Sequence, residues 1–164
     1  MNINQMRHEL VDLGGGAHAL AIQILGNADD AADAVHDAVA MALGRAAAYD
    51  AGKGQLKPWF LQIVRNRCID LLRRRRPATD RIDELVDTTP NAEQMLEAAD
   101  RDRLLKLALA SLDTGQRQII VLRDYLDLSY ADIANILDIA PGTVMSRLHR
   151  ARVALGRAYR KYDG

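Results

Sequence analysis

The stretch from Ser129 to Arg152, SYADIANILDIAPGTVMSRLHRAR, restricts the possible folds of this 164-residue chain more than any other part. Ser129 and Asp132 are spaced as in a capping box, in which each side chain accepts a hydrogen bond from the other residue's backbone amide at a helix start. Asp138 follows the short helix and tolerates the left-handed backbone that a tight turn often needs. A helix-turn-helix is therefore predicted. Its second helix should bury the apolar residues at steps of four, three and four, which are Val144, Leu148, Ala151 and Leu155.

The opposite face of this second helix is basic and polar. It carries Ser146, Arg147, His149, Arg150 and Arg157. Such a face can contact phosphates and base edges in the major groove of DNA. A merely solvated arginine face is the alternative, but it does not explain why the two-helix pattern and the basic face occur together. The segment predicts DNA binding and leaves many classes of regulator open.

A second basic segment, LKPWFLQIVRNRCIDLLRRRR, runs from Leu56 to Arg76. Pro58 suits the first turn of a helix, where its missing amide proton is not needed. Phe60, Val64, Cys68 and Leu71 share one apolar face at helical spacing. The remaining surface is strongly basic. Two interpretations of that surface remain open. It could contact nucleic acid, or it could be a solvated helix end whose basic residues the helix dipole stabilises.

A third segment is acidic, with Asp30, Asp33 and Asp37 at spacings of three and four on an alanine-rich helix after Asn27, an expected N-cap. Like charges at this spacing repel by roughly a few tenths of a kcal/mol per pair. A basic partner would relieve the repulsion. The alternative is a solvated surface that the positive end of the helix dipole favours.

Charge is distributed unevenly along the chain, although 22 basic and 22 acidic side chains cancel in total. Residues 51–80 have a net charge of +6 and residues 139–164 of +5, whereas residues 1–50 and 81–100 each have −5. The neutral total argues against a chain that coats nucleic acid by charge alone. Two local basic blocks remain available for DNA.

The stretch between Pro77 and Pro90 is acidic and poor in large apolar residues, which predicts a flexible linker. It separates an N-terminal domain of residues 1–76 from a C-terminal domain of residues 91–164. Strand-type alternation is weak, so we expect an all-α chain of two small helical domains. Helices are expected over residues 3–13, 17–25, 28–48, 57–75, 92–111, 114–126, 129–137 and 141–162.

Local signals set the boundaries of these helices. Gly14–Gly16 are expected to separate the first two, because glycine is unfavourable inside a helix. Three capping boxes start helices of the C-terminal half. They pair Asn91 with Gln94, Asp113 with Gln116, and Ser129 with Asp132.

Catalytic and metal-binding patterns are missing from the sequence. Cys68 is the single cysteine, so neither an intrachain disulfide nor a cysteine-based zinc site is possible. The four histidines have no metal-ligand spacing, and the glycine-rich stretches lack the remainder of a phosphate-binding loop. We expect no enzymatic activity, no cofactor, no membrane contact of its own and a cytoplasmic location.

Together the three segments resemble bacterial RNA polymerase sigma factors of the extracytoplasmic function (ECF) group. NADDAADAVHDAVAMAL resembles region 2.1–2.2, LKPWFLQIVRNRCIDLLRRRR resembles regions 2.3–2.4, and LDTGQRQIIVLRDYLDLSYADIANILDIAPGTVMSRLHRAR resembles region 4. The resemblance implies a region 2 bundle and a region 4 helix-turn-helix. It also implies a factor that binds core RNA polymerase and directs it to promoters through their −10 and −35 elements. An anti-sigma factor is the further partner it implies.

The resemblance implies roles for individual residues. The polymerase β′ clamp coiled coil would be bound by Asp30, Asp33, Val35 and Asp37. The −10 element would be bound by the loop Ala48–Leu56 and its helix, through Lys53, Trp59, Asn66, Arg67, Asp70, Arg73 and Arg74. Base edges of the −35 element would be read by Met145, Ser146, His149 and Arg150. Its phosphates would be bound by Tyr130, Thr143, Arg147 and Arg152. Helices 114–126 and 129–137 would meet the β flap tip.

The chain departs from the family pattern at Gly14–Gly16, at Val39 and at Met145, where bulky, large and basic residues respectively are usual. Two alternative functions remain open at this point. One is an ordinary helix-turn-helix regulator whose N-terminal half senses a signal or dimerises. The other is a sigma-like decoy that binds polymerase without recognising a promoter. Residues 29–76 argue against the first, since a sensor domain has no reason to pair an acidic helix with a basic one.

Overall fold

The computed structural model describes residues 1–75 and 100–164, and every regular element in these two ranges is helical, which confirms the all-α prediction. The expected linker 77–90, the capping box of Asn91 with Gln94 and the first part of the helix expected over residues 92–111 lie outside the described residues. Within the described ranges, no helix is both long and apolar enough to cross a membrane.

Three helices form the N-terminal bundle, which are α1 over Ile3–Leu25, α2 over Ala28–Gly44 and α3 over Leu56–Arg74. A short 3-10 turn over Ala46–Ala48 follows α2. Apolar side chains from all three helices meet in the core. Those at most 1% exposed include Leu10, Leu20, Ile24, Phe60 and Val64. The predicted apolar face of the third helix is confirmed by this packing.

The first helix is continuous, and the predicted break at Gly14–Gly16 is wrong. Each glycine costs about 1 kcal/mol of helix propensity relative to alanine. Burial of Leu10, Ala17 and Leu20 on both sides of the glycines outweighs that cost, because each buried large aliphatic side chain contributes about 1.5–3 kcal/mol. Packing therefore overrides local propensity in this segment.

Side-chain caps define the first residues of both α1 and α2. The carboxamide of Asn2 accepts from the amide of Gln5 at 2.9 Å, and the Gln5 side chain accepts from the Asn2 amide at 3.0 Å. This capping box has a readable N-x-x-Q spacing that the sequence interpretation missed. The predicted N-cap is confirmed, since the side chain of Asn27 accepts from the amides of Asp29 and Asp30 at 2.8 and 3.0 Å.

Four helices form the C-terminal bundle, which are α4 over Asp100–Ala110, α5 over Thr114–Ile120, α6 over Tyr130–Leu137 and α7 over Pro141–Asp163. A π-helical turn over Val121–Tyr125 continues α5, so the helix expected over 114–126 changes its winding halfway. The side chain of Asp113 accepts from the amide of Gln116 at 2.8 Å, as its predicted capping box requires.

The two bundles touch. Helices α1 and α3 pack against α5, the π-helical turn and α6, and one continuous set of buried apolar side chains runs through both bundles. Contacts between residues 53 to 94 positions apart in the chain hold this arrangement.

Candidate nucleic-acid interface

The helix-turn-helix forms as predicted from its local signals. The hydroxyl of Ser129 accepts from the amide of Asp132 at 3.1 Å at the start of α6. Asp138 adopts a left-handed backbone with φ of 56°, and its amide donates back to the carbonyl of Ala134. Pro141 then occupies the first turn of α7. The short α6 and the long α7 are thus held at a fixed turn.

One side of α7 is buried and the other is open. Val144, Leu148 and Ala151 are at most 1% exposed, and Leu155 is half-buried. The exposed side brings together five predicted −35 residues, Met145, Ser146, Arg147, His149 and Arg150, which form the recognition face. Met145 is 61% exposed, so an apolar side chain lies among the polar ones.

Two predicted phosphate-binding residues have partners inside the chain. The guanidinium of Arg152 donates to the carboxylate of Asp124, with an Nε–Oδ2 distance of 3.1 Å. This hydrogen bond raises the pKa of Arg152 above its usual value. The guanidinium of Arg123 lies over the ring of Tyr130, 5.1 Å from its centroid. The sequence interpretation missed Asp124 and Arg123. No local spacing joins Asp124 to Arg152.

Thr143 lies near the start of the recognition face. It is half-buried, and its carbonyl accepts from the hydroxyl of Ser146 at 3.1 Å. This bond fixes the position of one predicted base-reading side chain within the first turns of α7.

On α3, three predicted −10 residues belong to one ion network. Arg67 pairs with Asp37 and with Asp70, each at 3.0 Å, and Arg74 pairs with Asp70 at 3.3 Å. Arg75, which was not assigned a role, pairs with Asp30 at 2.8 Å. The basic partner that the acidic helix needs is therefore supplied by the chain's own α3.

The acidic residues of α2 differ in their exposure and in whether an arginine pairs with them. Asp33 is exposed, whereas Asp30 and Asp37 are partly covered by their arginine partners. Val35 is only 9% exposed and lies in the core. Its side chain supports α2 from inside and does not present a docking contact.

The predicted loop between α2 and α3 places an aromatic pair beside a cleft. The rings of Tyr49 and Trp59 lie 5.1 Å apart at an angle of 48°, and the hydroxyl of Tyr49 donates to the carbonyl of Gly54 at 3.2 Å. Lys53 and Trp59 line a cleft of about 250 Å³ whose far wall includes Asn135 of α6. The other predicted −10 residues, Asn66 and Arg73, are exposed along α3.

Cys68 is fully buried beneath this surface, as expected for a core residue. Burial raises the pKa of its thiol to about 12, although the nearby charges of Arg67 and Arg65 oppose the shift. The thiol is therefore neutral at physiological pH and is not a nucleophile. In residues 1–75 and 100–164, no three His, Cys, Asp or Glu side chains are grouped as metal ligands.

Known families match both halves of the chain. The family model of Sigma-70 region 2 matches residues 12–78, and that of Sigma-70, region 4 matches residues 102–155. The first match covers the half that a sensor domain would occupy, which rules out the ordinary helix-turn-helix regulator.

Curated relatives are similar over most of their length. The ECF RNA polymerase sigma factor SigM of Mycobacterium tuberculosis is 34% identical over 148 residues, covering 85% of this chain and 69% of SigM. The ECF RNA polymerase sigma factor EcfG of Rhodopseudomonas palustris is 30% identical over 152 residues, covering 93% of this chain and 83% of EcfG.

Solved structures share the arrangement of helices. The sigma factor RpoE from Bartonella quintana, solved with the anti-sigma factor NepR, has a TM-score of 0.75 at 27% identity, over 95% of this chain and 97% of RpoE. CnrH, solved with the cytosolic domain of CnrY, shares the fold with a TM-score of 0.66 at 24% identity, over 95% of this chain and 88% of CnrH. The chain belongs to the ECF group of bacterial RNA polymerase sigma factors, non-catalytic initiation factors that bind RNA polymerase and direct it to promoters.

Proposed function

We propose a division of labour within this initiation factor, in which residues 1–76 bind core polymerase and the −10 element and residues 91–164 bind the −35 element. Residues 77–90 connect the two domains. The observation that carries the proposal is the open recognition face of α7 on a fully formed helix-turn-helix. A helix with this exposure and chemistry fits the major groove of DNA.

At the −35 element, Arg150, Ser146 and His149 supply hydrogen-bonding groups to base edges, and Met145 supplies an apolar contact such as a thymine methyl group accepts. Arg147, Thr143, Tyr130 and Arg152 hold phosphates. Arg152 must share its guanidinium between a phosphate and Asp124, so its contribution to phosphate binding is smaller than that of the freely exposed Arg147.

At the −10 element, the loop and α3 divide the work between stacking and charge. Trp59 and Tyr49 form an aromatic surface on which an unstacked base can lie, and Lys53 beside them attracts the phosphate backbone. Asn66, Arg73 and Arg74 follow along the exposed side of α3. Arg67 and Asp70 hold this helix against α2 and contribute mainly by positioning it.

For polymerase, we propose that Asp33 makes the main acidic contact of α2 with the β′ clamp coiled coil. Asp30 and Asp37 contribute less, because each already has an arginine partner. The helices α5 and α6 meet the β flap tip. Since RpoE of Bartonella quintana binds the anti-sigma factor NepR and is similar over 95% of this chain, we also propose an anti-sigma partner here. The chain acts in the cytoplasm, without a cofactor or catalytic activity of its own.

Run-off transcription on a library of promoters tests the proposed function. Core polymerase plus the chain should initiate from a defined subset of promoters, and core polymerase alone should not. The isolated chain should bind promoter duplex weakly, because few phosphates are neutralised by a chain of zero net charge. Tight sequence-specific binding by the isolated chain, without initiation, would contradict the proposal. Binding to polymerase without any promoter-specific initiation would indicate the sigma-like decoy.

A further inference from the structure

The π-helical turn over Val121–Tyr125 contacts the helix-turn-helix through two consecutive side chains, neither of which is assigned a contact with DNA or polymerase above. In this turn the amide of Leu126 donates to the carbonyl of Val121, five residues before it, at 2.9 Å. Turns of this kind are uncommon and occur frequently at functional sites. The contribution of its two side chains to DNA binding is therefore a separate question.

Arg123, the first of these side chains, is directed to the start of α6. Its guanidinium lies over the ring of Tyr130, 5.1 Å from the centroid, and its Nη1 donates to the carbonyl of Leu128 at 2.7 Å. Consecutive residues of a helix do not face each other. The charge of Arg123 is thus used at Tyr130, and Asp124 pairs elsewhere.

Asp124, the second side chain, pairs with Arg152 of α7, 28 residues further along the chain. The Nε of Arg152 donates to Oδ2 of Asp124 at 3.1 Å, and its Nη2 donates to Oδ1. A guanidinium carries five donor hydrogens, so both hydrogens of Nη1 remain for another acceptor. The carboxylate therefore occupies one edge of the guanidinium and leaves another edge open to a phosphate.

Arg152 lies where the recognition face of α7 ends. It follows His149 by three residues, a spacing that places both side chains on one side of a helix. The side chain of Arg152 is 47% exposed and that of Asp124 is 40% exposed. An ion pair this exposed contributes little to stability. Structural support alone does not account for a carboxylate beside a phosphate-binding arginine.

The carboxylate of Asp124 opposes the attraction between Arg152 and DNA. It stays close to a phosphate on the other edge of the same guanidinium, within the Debye length of about 10 Å at 0.1 M salt, so dissolved ions screen the repulsion only in part. A phosphate that displaced the carboxylate would instead have to break both of its hydrogen bonds. Either route weakens this phosphate contact. Because phosphates carry no sequence information, the loss falls equally on every DNA sequence.

We propose that Asp124 is a specificity-determining residue, which limits sequence-independent binding through Arg152 and leaves the base contacts of the recognition face to decide between promoters. The inference rests on the proposed function, because it assumes that Arg152 binds a phosphate at the −35 element. With this contact at full strength, altered −35 elements would be occupied almost as fully as intact ones at the same concentration of polymerase. Limited phosphate binding keeps those weak sites below saturation and preserves the selection.

The test compares Asp124→Asn with Asp127→Asn in the full chain bound to bacterial core RNA polymerase. Asparagine has the shape of aspartate without its charge, and it still offers an oxygen to the Nε of Arg152. Asp127 supplies the control, because it is exposed three residues later and forms no ion pair within residues 1–75 and 100–164. Its left-handed backbone, with φ of 57°, suits asparagine as well.

The salt dependence of binding to promoter duplex measures how many phosphates are neutralised. Asp124→Asn should steepen the slope of log affinity against log salt concentration by up to about 0.9, the value for one phosphate, so its gain over the wild type should grow by up to about eightfold for each tenfold decrease in salt. Promoters with intact and altered −35 elements should gain equally in affinity. The ratio of their initiation rates at a fixed polymerase concentration should fall. Asp127→Asn should leave the slope and the ratio nearly unchanged.

A double-mutant cycle with Arg152→Gln shows whether the effect of Asp124 passes through the arginine. Adding Asp124→Asn to Arg152→Gln should give little further gain, because the phosphate-binding group has been removed. An equal gain in the two backgrounds would overturn the proposal.

Three other outcomes would overturn it as well. These are an unchanged salt slope in Asp124→Asn, equal effects of Asp124→Asn and Asp127→Asn, and a loss of affinity in Asp124→Asn, which would show that the carboxylate only supports the fold. If the wild-type complex showed no preference for promoters at all, the proposed function would fail instead. The salt slopes of the variants on the same duplex would then still test the role of Asp124 in phosphate binding.

Discussion

The arginines of α3 and those of α7 have different electrostatic surroundings. Arg67 of α3 and Arg75, which follows its last residue, are paired with Asp37 and Asp30 of α2, so much of their charge is used inside the N-terminal bundle. Arg147 and Arg150 of α7 are exposed on the recognition face. The two basic segments look alike in sequence but differ in the structure. Arginines of the first are paired with carboxylates inside the N-terminal bundle, whereas those of the second are exposed to a partner.

The net charge of a sequence segment does not measure the charge that is available to DNA. Residues 51–80 have a net charge of +6 and residues 139–164 of +5, yet three arginines of the first block, Arg67, Arg74 and Arg75, are paired with Asp37, Asp70 and Asp30. Counterion release depends on the phosphates that are actually neutralised. The recognition face of α7 should therefore contribute more to binding per arginine.

The largest expected effect is at Arg150. Arg150→Ala should reduce discrimination at the −35 element by about 1–3 kcal/mol, because a bidentate contact to a base edge would be lost. Run-off transcription on promoters with single −35 substitutions measures this discrimination. Arg157→Ala removes another exposed arginine from α7 and should weaken initiation uniformly, without a change in sequence preference. Equal discrimination by both variants would remove the base-reading role from Arg150.

On α3, Arg67 should matter for stability more than its neighbour Arg74. Arg67→Gln should lower the free energy of unfolding by about 1–2 kcal/mol, since its side chain is 21% exposed and holds two carboxylates. Arg74 is 68% exposed, and Arg74→Gln should cost less than about 0.5 kcal/mol. Urea unfolding of the full chain measures both. Equal losses would show that the comparison between structural and presented arginines does not hold within α3.

On α2, Asp33 is exposed, whereas Asp30 and Asp37 have arginine partners. Asp33→Lys should weaken binding to core polymerase by about 1 kcal/mol, mainly through a slower association rate that depends on salt. Asp12→Lys reverses an exposed charge on α1 and serves as the control. Surface plasmon resonance at two salt concentrations measures the rates. The same loss in both variants would reflect net charge alone.

The smallest expected effect concerns Cys68 beneath α3. Because its pKa is raised to about 12 in the folded chain, an unfolded thiol with a pKa of about 8.5 releases its proton first. The unfolded state then binds fewer protons, so stability falls as pH rises above about 8.5. At pH 9 the loss should be roughly 0.8 kcal/mol relative to pH 7. Cys68→Ala should show a shallower decline in urea unfolding between these pH values, and parallel declines would contradict a buried neutral thiol.

Much of the fold follows from short-range patterns. The caps at Asn27, Asp113 and Ser129, the left-handed turn at Asp138 and the apolar steps of α7 all lie within a few residues of the groups they act on. The same patterns brought five −35 residues to one exposed face. The break at Gly14–Gly16 failed because it relied on propensity, which the burial of flanking leucines overrides.

For the site residues too, the sequence predicted local features but not contacts between distant residues. An amphipathic pattern identified which side of α7 is exposed, but it could not show that Arg152 is paired with Asp124 or that Val35 is buried. Like-charge spacing correctly indicated that the acids of α2 need a basic partner. Which residues supply that partner depends on how α2 and α3 pack, and they are Arg67 of α3 and Arg75 at its C-terminal end.

Short-range sequence patterns are enough to predict most of the helices, the caps at Asn27, Asp113 and Ser129, the helix-turn-helix and its two chemically distinct faces. These features depend on hydrogen bonds and hydrophobic periods that close within one or two helical turns. The tertiary structure, in contrast, shows which charges are available and how the two bundles meet. Those features join residues that are distant in the chain, and packing forces and paired charges between helices decide them.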